Sequence, residues 1–346
     1  MTIRELLPRL LAGETLGKAE AAAAVRSIVR GESEDLHVAS FLTILARRGE
    51  TEAELQGGAE ALRAEAIPFP GPGGVIFDTC GTGGDSSGTF NVSTTVAFVI
   101  AGAGVRVAKH GNRSVSSSCG SADVLEKLGA AIELGPEGAR KVLDETGFTF
   151  LYARRFHPAM RRVAIVRQAL GFRTLFNWLG PLANPARATH QLVGVPDSAR
   201  VEPVARVLAG LGVMRGLVVH GAGGLDELAL TAGNVAAESG RTGTGAPSAT
   251  PRTIEAAPLG LPPATVDALR GGDAARNAEI LHTILGGERG PRRDAVVLNA
   301  AAALWIAGKA ATLEEGVVLA AESIDSGNAK RVLESYVAAS HKVGSE

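Results

Sequence analysis

DTCGTGGDSSGTFNVSTTVAFVIAGAGVRVAKHGNRSVSSSCGS, running from Asp78 to Ser121, is the stretch on which the reading of the fold turns. The apolar lead-in Val75-Ile76-Phe77 reads as a strand over 75–79. It runs into Cys80-Gly81-Thr82-Gly83-Gly84-Asp85, whose glycines let backbone N–H groups approach a ligand without obstruction from Cβ atoms. That is the chemistry of a phosphate cradle. Asn91-Val92-Ser93-Thr94-Thr95 then supplies amide and hydroxyl groups suited to capping a buried helix over 94–102. The N-terminal dipole of such a helix favours an anion or a metal-bound anion. After a Gly102/Gly104 turn, a strand over 105–108 delivers Lys109-His110-Gly111-Asn112-Arg113-Ser114-Val115-Ser116-Ser117 to the same edge of the expected parallel sheet. Ligands of such sheets bind beyond the C-terminal ends of the strands.

The glycine loop fits neither the Walker pattern nor G-x-G-x-x-G, and a glycine-rich strand-to-helix turn is often structural only. The basic loop argues for a ligand. Lys109, His110, Asn112, Arg113 and the serines Ser114, Ser116, Ser117 and Ser118 follow no amphipathic period, so packing gives no reason for them.

Outward from this stretch, residues 2 to about 66 read as helices only. Thr2 with Glu5 forms a capping box before Ile3, Leu6, Leu7, Leu10 and Leu11, and Thr51 with Glu54 repeats it. Ser33 is expected to cap the segment carrying Leu36, Phe41, Leu42 and Leu45, while Gly31 and Gly49 end helices. The segment Ala64 to Gly74, with Pro68, Pro70, Gly71, Pro72, Gly73 and Gly74, breaks the pattern. This predicts a helical domain over 1–68, a hinge over 69–74 and an α/β domain over 75–346. Helical segments around 158–185 are expected to join the first domain in space. Downstream, helices over 121–129, 136–146, 158–170 and 199–211 alternate with strands over 148–153, 191–195 and 216–220. A mainly parallel central sheet flanked by helices follows from that order. Residues 240–252 read as a loop, and helices are expected over 293–310 and 314–324.

The chain has 346 residues, 45% hydrophobic, with 35 basic and 36 acidic side chains, so no basic excess marks a nucleic-acid or membrane surface. A small-molecule partner is expected. Cys80 and Cys119 lie far apart without metal or disulfide spacing and read as buried thiols of a reducing compartment. No apolar leader run follows Arg4 and Glu5, and no long apolar span exists, so a cytoplasmic, soluble protein is expected.

GTGGD, FNVSTTVAFV, VAKHGNRSVSS with GSADVLEKLG, HPAMRRVAIVRQALGFRTLFNWLGPLANP and HGAGGLDE together resemble the signature of the anthranilate phosphoribosyltransferase family, in order and over essentially the whole chain. The resemblance implies a nucleoside phosphorylase/phosphoribosyltransferase-like fold. It also implies transfer of the phosphoribosyl group of 5-phosphoribosyl 1-pyrophosphate (PRPP) to anthranilate in tryptophan biosynthesis, with magnesium, two ions per site, and a homodimer made through the helical domain. At that interface Leu6, Leu10 and Phe41 are expected to be exposed to a partner. By the same resemblance PRPP is held by Gly81, Gly84, Asp85, Thr89, Asn91, Val92, Ser93, Thr94, Lys109, His110, Gly111, Asn112, Arg113, Ser114, Val115, Ser116, Ser117 and Ser121. Anthranilate is held by Gly81, Asn112, His157 and Arg167, and the metal by Ser93, Asp226 and Glu227. No residue is expected to act as a catalytic acid or base.

Read from the residues themselves, the outlying positions leave alternatives. Asp226-Glu227 on a glycine loop suits a hard divalent ion bridging carboxylate to phosphate, or is an exposed pair at a helix start. Arg167 suits two-pronged pairing with a carboxylate, or is a surface arginine laying its stem on apolar neighbours. His157 is either close to the aromatic substrate or a helix-terminal residue. Asn177 to Pro185 either lines the acceptor's route or forms a rigid turn. Arg154-Arg155 departs from the neutral pattern of the family and bears on a substrate-tunnel lip or the surface beside it. Two other function classes remain: a pyrimidine nucleoside phosphorylase, whose glycine loop differs and which leaves Arg167 without a task, and a non-catalytic nucleic-acid-binding relative, which the charge balance opposes.

Overall fold

The computed structural model describes residues 2–84, 87–114 and 119–344. The chain begins with α1 (Ile3–Leu11), α2 (Lys18–Val29), α3 (Asp35–Arg48) and α4 (Glu52–Glu65). Both expected capping boxes form: Thr2 Oγ1 accepts from Glu5 N and Thr51 Oγ1 from Glu54 N, while each glutamate returns to its cap's N–H. Ser33 is not a cap. Glu34 precedes α3, and the Ser33 hydroxyl is taken up by that of Ser27 at 2.5 Å.

Strands and helices then alternate as β1 (Phe77–Gly81), α5 (Val92–Gly102), β2 (Val107–Gly111), α6 (Ser121–Lys127), α7 (Pro136–Thr146) and β3 (Phe148–Tyr152). A helical excursion follows, α8 (Ala153–Phe156), α9 (Met160–Leu170) and α10 (Leu175–Leu182). Then come β4 (His190–Gly194), α11 (Val201–Gly210), β5 (Arg215–His220), β6 (Asn234–Arg241) and β7 (Pro247–Ile254), and last α12 (Ala274–Leu285), α13 (Pro291–Ile306), α14 (Leu313–Asp325) and α15 (Asn328–Gly344). The seven-stranded sheet runs β3-β2-β1-β4-β5-β6-β7. β1 to β5 are parallel, and β5-β6 and β6-β7 are antiparallel.

Residues 240–252 are therefore not a loop. The Gly/Pro/Thr composition hides a hairpin, because β7 is the sheet's edge and Pro247 and Pro251 need no N–H toward solvent there. Glu238 on β6 holds the hairpin down, accepting from Arg215 at 2.9 Å and Arg252 at 2.9 Å.

Both faces of the sheet are covered, and the strands show it by alternation. Leu192, Leu217, Val219 and Ala236 face the core made with α5, α13, α14 and α15; Val193, Val218 and Ala237 face the one shared with α1 to α4, α9, α10 and α11. The helical bundle and the excursion α9–α10 thus bury their apolar stripes in one cluster on one face of the sheet. The 69–74 segment is fastened to its neighbours: Phe69 is buried, Arg140 Nη1 donates to Pro70 O at 2.8 Å and Arg106 Nη2 to Gly73 O at 2.7 Å.

Leu6, Leu10 and Phe41, expected to be exposed, are buried at 1%, 2% and 0%. Ile3, Leu6 and Leu10 share one helical stripe that packs inward, and the next position round, Leu11, is the one turned out at 74%, together with Leu36 at 80%.

Candidate active site

The strand order of the sheet reverses between β1 and β4, the place where open α/β sheets leave a crevice beyond the strand ends. A small cavity lies there. Thr79 and Cys80 of β1, Ser93 of α5, Gly194 of β4, Asn299 of α13 and the pair Asp226-Glu227 all line it.

Asp226 reaches this crevice from the loop after β5, and its Oδ2 accepts the N–H of Gly83 at 2.8 Å. The approach is so close that a Cβ on Gly194 would stand 1.4 Å from the Asp226 carbonyl oxygen, and one on Gly81 would stand 2.3 Å from Oδ2. Glycine at both strand ends is what lets the carboxylate loop lie on the sheet. Thr82 N donates to Gly194 O at 3.0 Å, so the glycine loop is also tied to β4.

Lys109 at the end of β2 is 2% exposed, and its Nζ donates to the Thr79 carbonyl and, at 3.2 Å, to Ser93 Oγ. Burial pushes this ammonium below its usual range, opposed by the negative charges of Asp78, Glu227 and Asp226 around it. Beneath it Asp78 is fully buried. Burial raises its carboxyl, and Lys109, the Asn184 amide at 2.8 Å and the His110 N–H at 3.2 Å work the other way. Thr79 Oγ1 donates to Ser93 O at 2.8 Å, fastening the first turn of α5 to β1.

His110 Nδ1 lies 3.2 Å from Gly180 O and His157 Nε2 3.1 Å from Ala183 O, with ring centroids 5.1 Å apart. Burial drives His110 down to about 3 and His157 down to about 4, so both rings are neutral near pH 7 and donate to those carbonyls.

Ser93, Asp226 and Glu227 offer oxygen donors to one cavity, which fits magnesium. Among the described residues no group of three or more His, Cys, Asp or Glu is placed to hold a metal, and a magnesium ion at these oxygens would need phosphate or water to complete its shell.

A family model described as the glycosyl transferase family helical bundle domain matches residues 4–66, and that of the family's a/b domain matches residues 73–330. The chain is 50% identical to the anthranilate phosphoribosyltransferase of Roseiflexus castenholzii over 98% of its length and 99% of the relative's. It is 50% identical to that of Rubrobacter xylanophilus over 99% and 98%. The chain belongs to the anthranilate phosphoribosyltransferase family. Among solved structures of that family, the Thermus thermophilus enzyme superposes with a TM-score of 0.89 at 44% identity, covering 97% of this chain and 99% of the other. The Saccharomyces cerevisiae enzyme in complex with PRPP and Mg gives 0.88 at 27% identity, covering 98% of each.

In this member of the anthranilate phosphoribosyltransferase family, Ser93, Asp226 and Glu227 line the crevice, with Gly81 against Asp226 and Lys109 against Ser93, and the His110 and His157 rings lie tilted at 57° to each other. Other expected donor residues carry structural bonds. Helix α5 begins at Val92, and its Asn91 N-cap makes no capping bond. The Asn91 side chain instead donates to Cys119 O at 3.2 Å and accepts from Asn277 at 2.9 Å. Arg113 pairs with Glu126, Nη2 to Oε1 at 2.6 Å, and its Nε donates to the Tyr152 hydroxyl at 3.2 Å. Ser114 N donates to Asp123 Oδ2 at 3.0 Å and Ser121 Oγ to Asn112 O at 3.4 Å. Thr89 bridges to Arg270, and Thr94 and Val92 are buried in the first turn of α5. Asp85, Val115, Ser116 and Ser117 lie outside the described residues.

Arg167 is half-buried on α9, where burial, and next the charge of Arg173, lower its guanidinium. The Asn177 to Pro185 segment is not a plain turn: most of it is α10, and its carbonyls at Gly180 and Ala183 hold both histidines. Arg154 and Arg155 stand exposed on α8. Sequence reasoning passed over Asp78, Asn184 and Arg173. The signal for the first was a carboxylate inside a strand otherwise read as buried, which demands partners; the other two look like ordinary loop residues.

Proposed function

We infer that the chain transfers the phosphoribosyl group of PRPP to the amine of anthranilate, giving N-(5-phosphoribosyl)anthranilate and pyrophosphate, a step of tryptophan biosynthesis. The observation that carries this is the crevice at the sheet's reversal point, where Lys109, Ser93 and the Asp226-Glu227 carboxylates converge beside the glycine loop. Relatives at half identity over the full chain bear the same activity by name.

PRPP is bound by the glycine loop, the first turn of α5 and the basic loop after β2. Magnesium on Ser93, Asp226 and Glu227, two ions in our reading, would supply neutralisation of the departing pyrophosphate. Lys109 adds a fixed positive charge in a dry site, where it acts strongly on phosphate. Arg167, with His157 and Asn112 nearby in the family's arrangement, holds the anthranilate carboxylate and ring so that the amine faces the anomeric carbon. An aromatic amine is uncharged near pH 7 and needs no strong base. The neutral His110 and His157 suit that, since burial disfavours the charged ring that taking up a proton would leave. Holding the amine beside the ribose supplies much of the acceleration.

We further propose a homodimer docked through the helical bundle, with Leu11 and Leu36 as exposed anchors, and a cytoplasmic setting. Among the described residues no helix is long and apolar enough to cross a membrane. The test is loss of anthranilate fluorescence with PRPP and Mg²⁺. No loss, with base released from a pyrimidine nucleoside and phosphate instead, would sink the reading.

A further inference from the structure

The connector between α9 and α10 carries a charged side chain to which the transfer as set out above gives no task. Arg173 reaches out of the helical excursion onto the glycine loop of the sheet: Nη1 donates to the Gly83 carbonyl and Nη2 to the Thr82 carbonyl at 3.4 Å. Its guanidinium lies 5.5 Å from the ring centroid of Trp178 in the following helix. Gly84 (φ +76°) gives it room, since a Cβ there would stand 1.8 Å from Nη1.

The Thr82–Gly83 peptide unit is also held by its N–H, and the unit before it is fastened as well. The Thr82 N–H goes to Gly194 O at 3.0 Å and the Gly83 N–H to Asp226 Oδ2 at 2.8 Å. Gly83 and Gly84 both sit at positive φ, where glycine has little preference between conformers, so such a loop does not hold its own orientation. A flipped peptide would turn a carbonyl oxygen toward the phosphates and repel them. Arg173 draws both carbonyls toward the connector, and the connector continues the helix that bears Arg167, its electrostatic neighbour.

We propose that Arg173 is a positioning residue that sets the glycine loop, carbonyls outward and away from the crevice, in its PRPP-receiving orientation from the acceptor-binding side of the molecule. The proposal rests on the transferase reading above. Charge-assisted hydrogen bonds of this kind put the effect of their loss at about tenfold to a hundredfold in donor affinity.

The experiment measures Mg-PRPP binding without anthranilate, by calorimetry, for wild type, Arg173→Gln and Arg173→Lys, and KM for each substrate alongside. Thermal unfolding of each variant is followed by circular dichroism. In Arg173→Gln the PRPP dissociation constant and KM rise by about tenfold or more while the anthranilate KM at saturating PRPP moves less than about threefold. Lysine, keeping charge and one donor direction, recovers part of the loss. Wild type failing to bind Mg-PRPP would overturn the transferase reading itself. Wild type binding normally with Arg173→Gln within twofold of it overturns this inference alone. Equal weakening toward both substrates with a lowered melting temperature and no recovery by lysine also overturns it, leaving Arg173 a mere support of the fold.

Discussion

Gly194→Ala is the sharpest test of the crevice. Gly194 ends β4 in register with Gly81 and has no positive φ, so alanine brings no backbone strain and the effect is steric. Its Cβ would stand 1.4 Å from the Asp226 carbonyl oxygen and 2.3 Å from the carbonyl carbon. Ordinary contact requires a retreat of about 2 Å, and the obstacle is backbone, which cannot swing aside as a side-chain end does. Overpacking of this kind costs about 1–3 kcal/mol of stability, which a chain with cores on both faces of its sheet should survive. The larger effect is on the site. Displacing the Asp226 peptide breaks the bond from Gly83 N to Oδ2 and moves the carboxylate away from Ser93. A misplacement of roughly 1 Å costs on the order of 100-fold in rate. Initial rates across a Mg²⁺ titration should show kcat down by about two orders of magnitude and the Mg²⁺ requirement raised, with the far-ultraviolet spectrum unchanged. Gly243→Ala, where a Cβ meets nothing within 4 Å, is the control. A Gly194→Ala protein with wild-type turnover and Mg²⁺ dependence would refute the placement of Asp226 against β4.

Arg167→Ala should raise the anthranilate KM by about 10- to 150-fold, the loss of a charge-assisted pair of about 1.5–3 kcal/mol, and leave that for PRPP nearly unchanged; equal changes in both count against an acceptor role. Lys109→Met should weaken PRPP far more than anthranilate and also lower the melting temperature, because buried Asp78 loses the positive charge that opposes its desolvation; an unchanged PRPP constant removes the phosphate role. The histidines set a pH dependence of stability: His110 and His157, at about 3 and about 4 in the fold, sit below an unfolded value of about 6.5, so the unfolded chain binds more protons as the pH falls. Their contribution is complete above about pH 6.5 and is lost on acidification, by about 4 kcal/mol at pH 5 for the two together. Urea unfolding at pH 7 and pH 5 reads this directly, and equal free energies at the two would mean the rings are not held neutral.

What the sequence by itself determined are the features whose signal is local. The capping boxes at Thr2/Glu5 and Thr51/Glu54, the presence of strands before the glycine loop and the basic loop, though these run on to Gly81 and Gly111 rather than stopping at 79 and 108, the buried helix after Asn91 and the alternation behind the parallel sheet all follow from residues within a turn or a strand of each other. The crevice was legible too, because glycine loops and carboxylates announce their chemistry by type. Tertiary structure alone decided which apolar face of α1 is buried and which residue, Leu11 rather than Leu10, is left outside. It turned a Gly/Pro-rich stretch into the β6–β7 hairpin, since a lone edge strand owes its existence to its partner's ladder. It also spent Asn91 and Arg113 on Asn277 and Glu126, and carried Arg173 onto Gly83, ninety residues away in the chain. Hydrogen bonds and burial between elements distant in sequence depend on how the elements pack, and no local pattern of residues encodes which long side chain will find which carbonyl.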